Sequence, residues 1–156
     1  IRALAQGLPK IVSSPGDIAA RSKCLYGAWL CGAVLGNVGM ALQHKLCHTL
    51  GGTYNLPHAE THTVVLPHAL AYNAPAVPEA IDRIARALGV GDAARGMFDL
   101  AASLGAPTAL KDIGMPEGQL DWCAEIATQN AYANPRPIEK AAIRALLEDA
   151  YHGKRP

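Results

Sequence analysis

The stretch HKLCHTLGGTYNLPHAETH, residues 44–62, holds four of the chain's six histidines, and its punctuation decides how the chain is built. His44 and His48 are four residues apart, so a helix places them on one face. Gly51 and Gly52 predict the end of that helix, with residues 50–57 as a loop. Pro57 suits the first turn of a second helix, on which His58 and His62 again share a face. A helix end, a glycine loop and a helix start together make a helical hairpin. Its ends bring two histidine pairs toward one another.

Working outward, turn signals cut the rest of the chain into helix-sized pieces. IRALAQGLPKIV (1–12) reads as a helix already in progress, closed by SSPGD (13–17). Asp17 caps a long segment predicted from Ile18 to about Leu42. Downstream the spacing predicts helices over 59–72, 78–88, 92–104, 117–132 and 138–151. IDRIARAL and IEKAAIRALLEDAY carry apolar residues at i, i+3, i+4 and i+7, the mark of an amphipathic helix. Pro67 falls inside the predicted 59–72 helix and should kink it, with His68 a structural side chain at the kink. No segment alternates with period two for long. The expectation is one all-α domain over residues 1–156, with about six to eight helices.

Composition supports this and excludes several classes. The 156 residues are 50% hydrophobic but only 5% aromatic, so the core must be aliphatic. Net charge is +1, with no basic stripe for nucleic acid and no acidic tract. Cys24, Cys31, Cys47 and Cys123 form no CxxC pair and read as small buried hydrophobes in a reduced, cytoplasmic protein. Between Lys23 and Lys45 no residue carries a formal charge, and GAVLG (32–36) has GxxxG spacing. A membrane span is set aside because Gly27, Gly32, Gly36 and Gly39 weaken the helix and Asn37 is polar. A central helix buried on all sides, with small residues permitting close approach, is expected instead. The first residue is Ile1, not methionine, which suggests a piece of a longer chain.

The histidine cluster has two chemical uses. Neutral imidazoles bind divalent transition metals. Imidazoles also offer protons or positive charge to an anionic substrate, because they titrate near neutrality. HxxxH alone is not the HExxH zinc-protease pattern, and its spacing does not choose between these uses.

Longer motifs carry more. GNVGMALQHKLCHTLGGTYNLPHAETHTVVLPHALAYNAPAVPEA (36–80), with LYGAWLCGAVLG (25–36) before it, resembles the iron-containing alcohol dehydrogenase superfamily, and within it the maleylacetate reductases. The resemblance implies the multi-helix C-terminal domain of the dehydroquinate synthase-like, iron-containing alcohol dehydrogenase fold. It further implies an N-terminal nucleotide-binding domain as partner, absent from these residues, which contain no glycine-rich nucleotide loop. It implies reduction of maleylacetate, a small dicarboxylate, to 3-oxoadipate by NADH or NADPH in the breakdown of aromatic compounds. His44 and His58 match two of four metal ligands in metal-dependent members, so they are the metal residues if iron or zinc is bound. His48 matches the histidine beside the nicotinamide and substrate. Maleylacetate reductases generally work without a required metal. Dehydrogenases tend to read PHG where this chain has Pro57, His58 and Ala59, and Asn where it has His62; both departures favour the reductases.

The catalytic set is then His48, His44, His58 and His62. His48 is the donor nearest the reacting carbon and the cofactor contact, and Lys45 and His62 are substrate-binding. A homodimer is implied, with no nucleic acid or membrane partner. Two alternatives stand beside this reading. One is a metal-dependent alcohol dehydrogenase domain, and the other is a catalytically inactive, stand-alone helical module whose apolar face binds a partner.

Overall fold

The structure, a computed structural model, describes residues 1–130 and 132–156. Those residues form α1 (Arg2–Ser13), α2 (Ile18–Leu35), α3 (Leu42–Tyr54), α4 (His58–Asn73), α5 (Pro78–Leu88), α6 (Ala93–Ser103), α7 (Leu120–Thr128) and α8 (Lys140–His152). Short 3-10 turns occupy Ala74–Ala76 and Leu110–Ile113, and no strand occurs among the described residues.

The core lies where α3, α4, α7 and α8 meet. Leu42, Leu46 and Leu50 of α3 recur at helical spacing and are fully buried. They pack with Val64 and Val65 of α4, Cys123 and Ala127 of α7, and Ile143 and Leu147 of α8. Tyr72 caps this aliphatic core and donates its hydroxyl to the Pro137 carbonyl at 2.6 Å. Cys47 and Cys123 are buried as expected, and burial pushes both thiols up to about 12. Cys24 is only half-buried and Cys31 is exposed, contrary to expectation, because α2 buries little beyond Ala20 and Gly27.

The segment expected to run as one helix from Ile18 to Leu42 is instead two helices. Gly36 caps α2, and Asn37 turns back, donating Nδ2–H to the Ala33 carbonyl at 2.7 Å. Glycine weakens the helix here, and the asparagine side chain competes for its terminal carbonyls. Ala41 is extended, and α3 starts afresh at Leu42. The Leu42 N–H finds an acceptor in Asn134 Oδ1 at 3.4 Å, ninety-two positions along the chain.

α2 is also not a central buried helix. Only Ala20 and Gly27 are buried, while Leu25 and Trp29 are 72% and 66% exposed. Its main packing partner is α1, which touches α5. Close approach uses Gly7 and Gly27, not the GxxxG pair. A Cβ at Gly7 would lie 2.5 Å from Cys24 Sγ, and one at Gly27 2.8 Å from Leu4 Cγ, whereas one at Gly32 meets nothing. No helix of the described residues is long and apolar enough to cross a membrane.

Two smaller boundaries moved. Gly51 and Gly52 lie in the last turn of α3 and do not end it; the left-handed residue is Asn55, at φ 53°. Packing overrides the glycine penalty there, because Leu50 is buried and Tyr54 donates to the Gln119 carbonyl at 3.3 Å. The helix expected over 117–132 is trimmed at both ends. Gly118 at φ 79° precedes it and Asn130 at φ 58° follows it, and residue 131 lies outside the described residues. Pro67 sits buried within α4, which runs through it from His58 to Asn73.

Candidate functional site

The α3–α4 hairpin sets the histidines. Leu42, Leu46 and Leu50 anchor one side of α3 in the core, which leaves His44 and His48 on an adjoining face. Thr61, Val64, Val65 and His68 anchor α4, which leaves His58 and His62 at its first turns. Only residues 55–57 separate the two helices, with Asn55 turning the chain and Pro57 as the N-cap of α4. A short connection forces the end of α3 and the start of α4 to be neighbours.

The four histidines converge in a row. His48 and His44 have ring centroids 6.1 Å apart, His44 and His62 5.0 Å, and His62 and His58 4.3 Å. His62 is therefore flanked by His44 and His58, with His48 at the outer end. His48 and His58 are exposed, while His44 and His62 are half-buried. Burial, with repulsion from His58, His44 and His48, brings the His62 pKa down to about 4. Burial, then His48 and His58, also lowers that of His44. Both are neutral imidazoles at neutral pH, able to donate one hydrogen bond and accept another. The Nε2 atom of His62 is buried and has no hydrogen-bond partner.

Lys45 is one residue round the helix from His44, and its ammonium lies over the Tyr132 ring, 5.8 Å from the centroid. The structure thus turns it toward the segment after α7. Tyr132 itself has a buried, unpartnered hydroxyl, and burial, with Tyr72, pushes its pKa up to about 12.

Three contributors were not legible in the sequence. Gln43 places its Nε2 2.9 Å from His62 Nδ1, across the hairpin. Asn134 exchanges side-chain hydrogen bonds with Asn73 and ties the start of α3 to the end of α4. Tyr132 meets Lys45 from the far side. Each is a polar residue whose partner lies many positions away, and no periodicity announces such a pair. Gln43 adjoins His44, which was its one visible signal.

The metal reading fits only in part. Among the described residues no group of three or more histidine, cysteine or carboxylate side chains is arranged to hold an ion. His44, neutral, has a lone pair for a metal, and His58 is accessible, but a zinc or iron site needs further ligands.

All-helical architecture and a paired-histidine hairpin between α3 and α4 define the class. The chain belongs to the Fe-containing alcohol dehydrogenase family, whose C-terminal domain profile matches residues 1–151. Within that family it is 59% identical over its whole length to maleylacetate reductase from Burkholderia cepacia. A solved maleylacetate reductase from Agrobacterium tumefaciens superposes with a TM-score of 0.96 at 55% identity, covering 99% of this chain and 44% of that one. A chain from Ralstonia eutropha JMP134, described only as an alcohol dehydrogenase, reaches 0.98 at 67% identity, with the same coverage. The chain spans 44% of the length of the curated relatives it matches.

Proposed function

We propose that this chain is the helical part of an NAD(P)H-dependent maleylacetate reductase, which converts maleylacetate to 3-oxoadipate. The observation that carries the reading is the row of four imidazoles, two of them neutral and sheltered, beside a strong likeness to maleylacetate reductases. A bound reduced nicotinamide, NADH or NADPH, supplies the hydride. As one alkene carbon of the substrate accepts it, the electron pair of the double bond moves onto the conjugated oxygen. His44, His58 and His62 hold the carboxylate and enolate oxygens by hydrogen bonds aimed where that charge develops. His48, at the outer end of the row, would contact the nicotinamide when it is bound, and delivers the proton to the other carbon. Lys45 is a second carboxylate partner if it swings away from Tyr132.

The nucleotide site belongs to an N-terminal nucleotide-binding domain of the same protein. The exposed apolar side of α2 supports a further packing surface. The protein acts as a cytoplasmic homodimer. A metal, iron or zinc, would use His44 and His58 together with ligands from elsewhere, and no step here depends on it.

The experiment is NADH or NADPH oxidation with maleylacetate by the complete enzyme, before and after chelation. His48→Ala should lower kcat about a hundredfold or more. Unchanged turnover in that variant would remove His48 from the mechanism. Loss of activity on chelation, with simple alcohols as substrates, would favour the dehydrogenase alternative.

A further inference from the structure

Gln43 and His62 meet across the hairpin, nineteen positions apart. The amide nitrogen of Gln43 lies 2.9 Å from His62 Nδ1, 3.5 Å from the His62 carbonyl oxygen and 3.6 Å from Cys47 Sγ. A carbonyl oxygen only accepts, so the atom facing it must be the NH2 end of the amide. The reverse orientation would set the amide oxygen against that carbonyl. With the NH2 end fixed, Nδ1 is the acceptor of the 2.9 Å bond. A ring that accepts at Nδ1 carries its single proton on Nε2. Nε2 is buried, points to no protein acceptor, and belongs to the ring flanked by those of His44 and His58.

We propose that Gln43 is a positioning residue that locks the His62 imidazole as its Nε2–H tautomer and so holds this ring between those of His44 and His58. The assignment separates roles within one cluster. Nδ1 is occupied by Gln43 and Nε2 has no free lone pair, so His62 is not a metal ligand. The effect on turnover rests on the reductase reading; the tautomer does not.

The test is long-range proton–nitrogen NMR of the complete enzyme carrying 15N-histidine, with His62 assigned by loss of its signals in His62→Gln. The unmodified protein should show a pyrrole-type Nε2 and a pyridine-type Nδ1. Gln43→Glu presents only acceptors and should invert the two nitrogens. It should also lower kcat/KM for maleylacetate about ten- to hundredfold, as the ring between His44 and His58 loses its fixed orientation. If Gln43→Glu fails to fold, Gln43→Met keeps the side-chain volume and should move Nδ1 to the position of a free acceptor. A protonated Nδ1 in the unmodified protein overturns the proposal, as does either variant leaving the His62 nitrogens unchanged. Inverted nitrogens with kcat/KM within about twofold of the unmodified enzyme overturn the positioning role. If the unmodified enzyme fails to turn over maleylacetate, the reductase reading falls, and the NMR outcomes still decide the tautomer.

Discussion

His68 shows how far a single side chain can be moved from its ordinary chemistry. It is 3% exposed, its Nε2 has no partner, and its ring meets Phe98 edge-on at 6.5 Å between centroids. Burial, only partly opposed by Asp149, takes its pKa from 6.5 to about 4. The folded form therefore binds its proton later than the unfolded chain as pH falls. Stability from this residue is complete above 6.5, declines between 6.5 and about 4, and levels off below. At about 1.4 kcal/mol per pKa unit, the loss from His68 approaches about 3 kcal/mol. His62 acts in the same direction and by less, since it lies nearer solvent. Urea midpoints measured between about pH 7.5 and about pH 5 should fall steeply in the unmodified chain and less steeply in His68→Leu. Equal slopes would show that another group dominates. The sequence suggested His68 was structural, but its unpartnered nitrogen depends on what α8 and Phe98 bring around it.

Among the elements, the α1–α2 pair tests the glycine argument. Gly7→Ala forces a Cβ to within 2.5 Å of Cys24 Sγ and 3.1 Å of the Ala20 carbonyl oxygen. Separation of the two helices should cost about 1–3 kcal/mol, outweighing the gain in helix propensity. Gly32→Ala meets no atom and should stabilise α2 by about 0.5–1 kcal/mol. Thermal unfolding of the two variants should move Tm in opposite directions; a shift of the same sign in both would sink the close-packing account. The helices themselves were legible, because apolar spacing and caps are local signals. Asp17 caps α2 through the Ala20 N–H at 3.0 Å, as its position suggested. The break at 36–41 was missed because an unbroken uncharged run hides a hinge. Nothing near Leu42 in sequence reveals that Asn134 receives its N–H.

At the scale of the whole molecule, exposed large apolar side chains concentrate in α1, α2 and the turn after them. Leu25, Tyr26, Trp29, Val34, Val38 and Met40 are each more than half exposed. Such a continuous face is unusual for a protein surface that only meets water. The emission of Trp29, measured in a Trp122→Phe background, should be red-shifted in this chain. In a full-length relative-sized protein it should move to the blue, as a packing surface covers α2. Identical spectra would mean that this face stays open to solvent.

The wording from LYGAWLCGAVLG through LPHAETH was enough to place this chain in its family, and helical spacing put His44 beside His48 and His58 beside His62. Those signals are local, and local signals survive in a linear string. Tertiary structure decided the order of the row, the neutrality of His62 and His44, the turn of Lys45 toward Tyr132, and the Gln43 bond across the hairpin. Each of these depends on desolvation or on a contact between distant residues, and both come into being only when the helices pack.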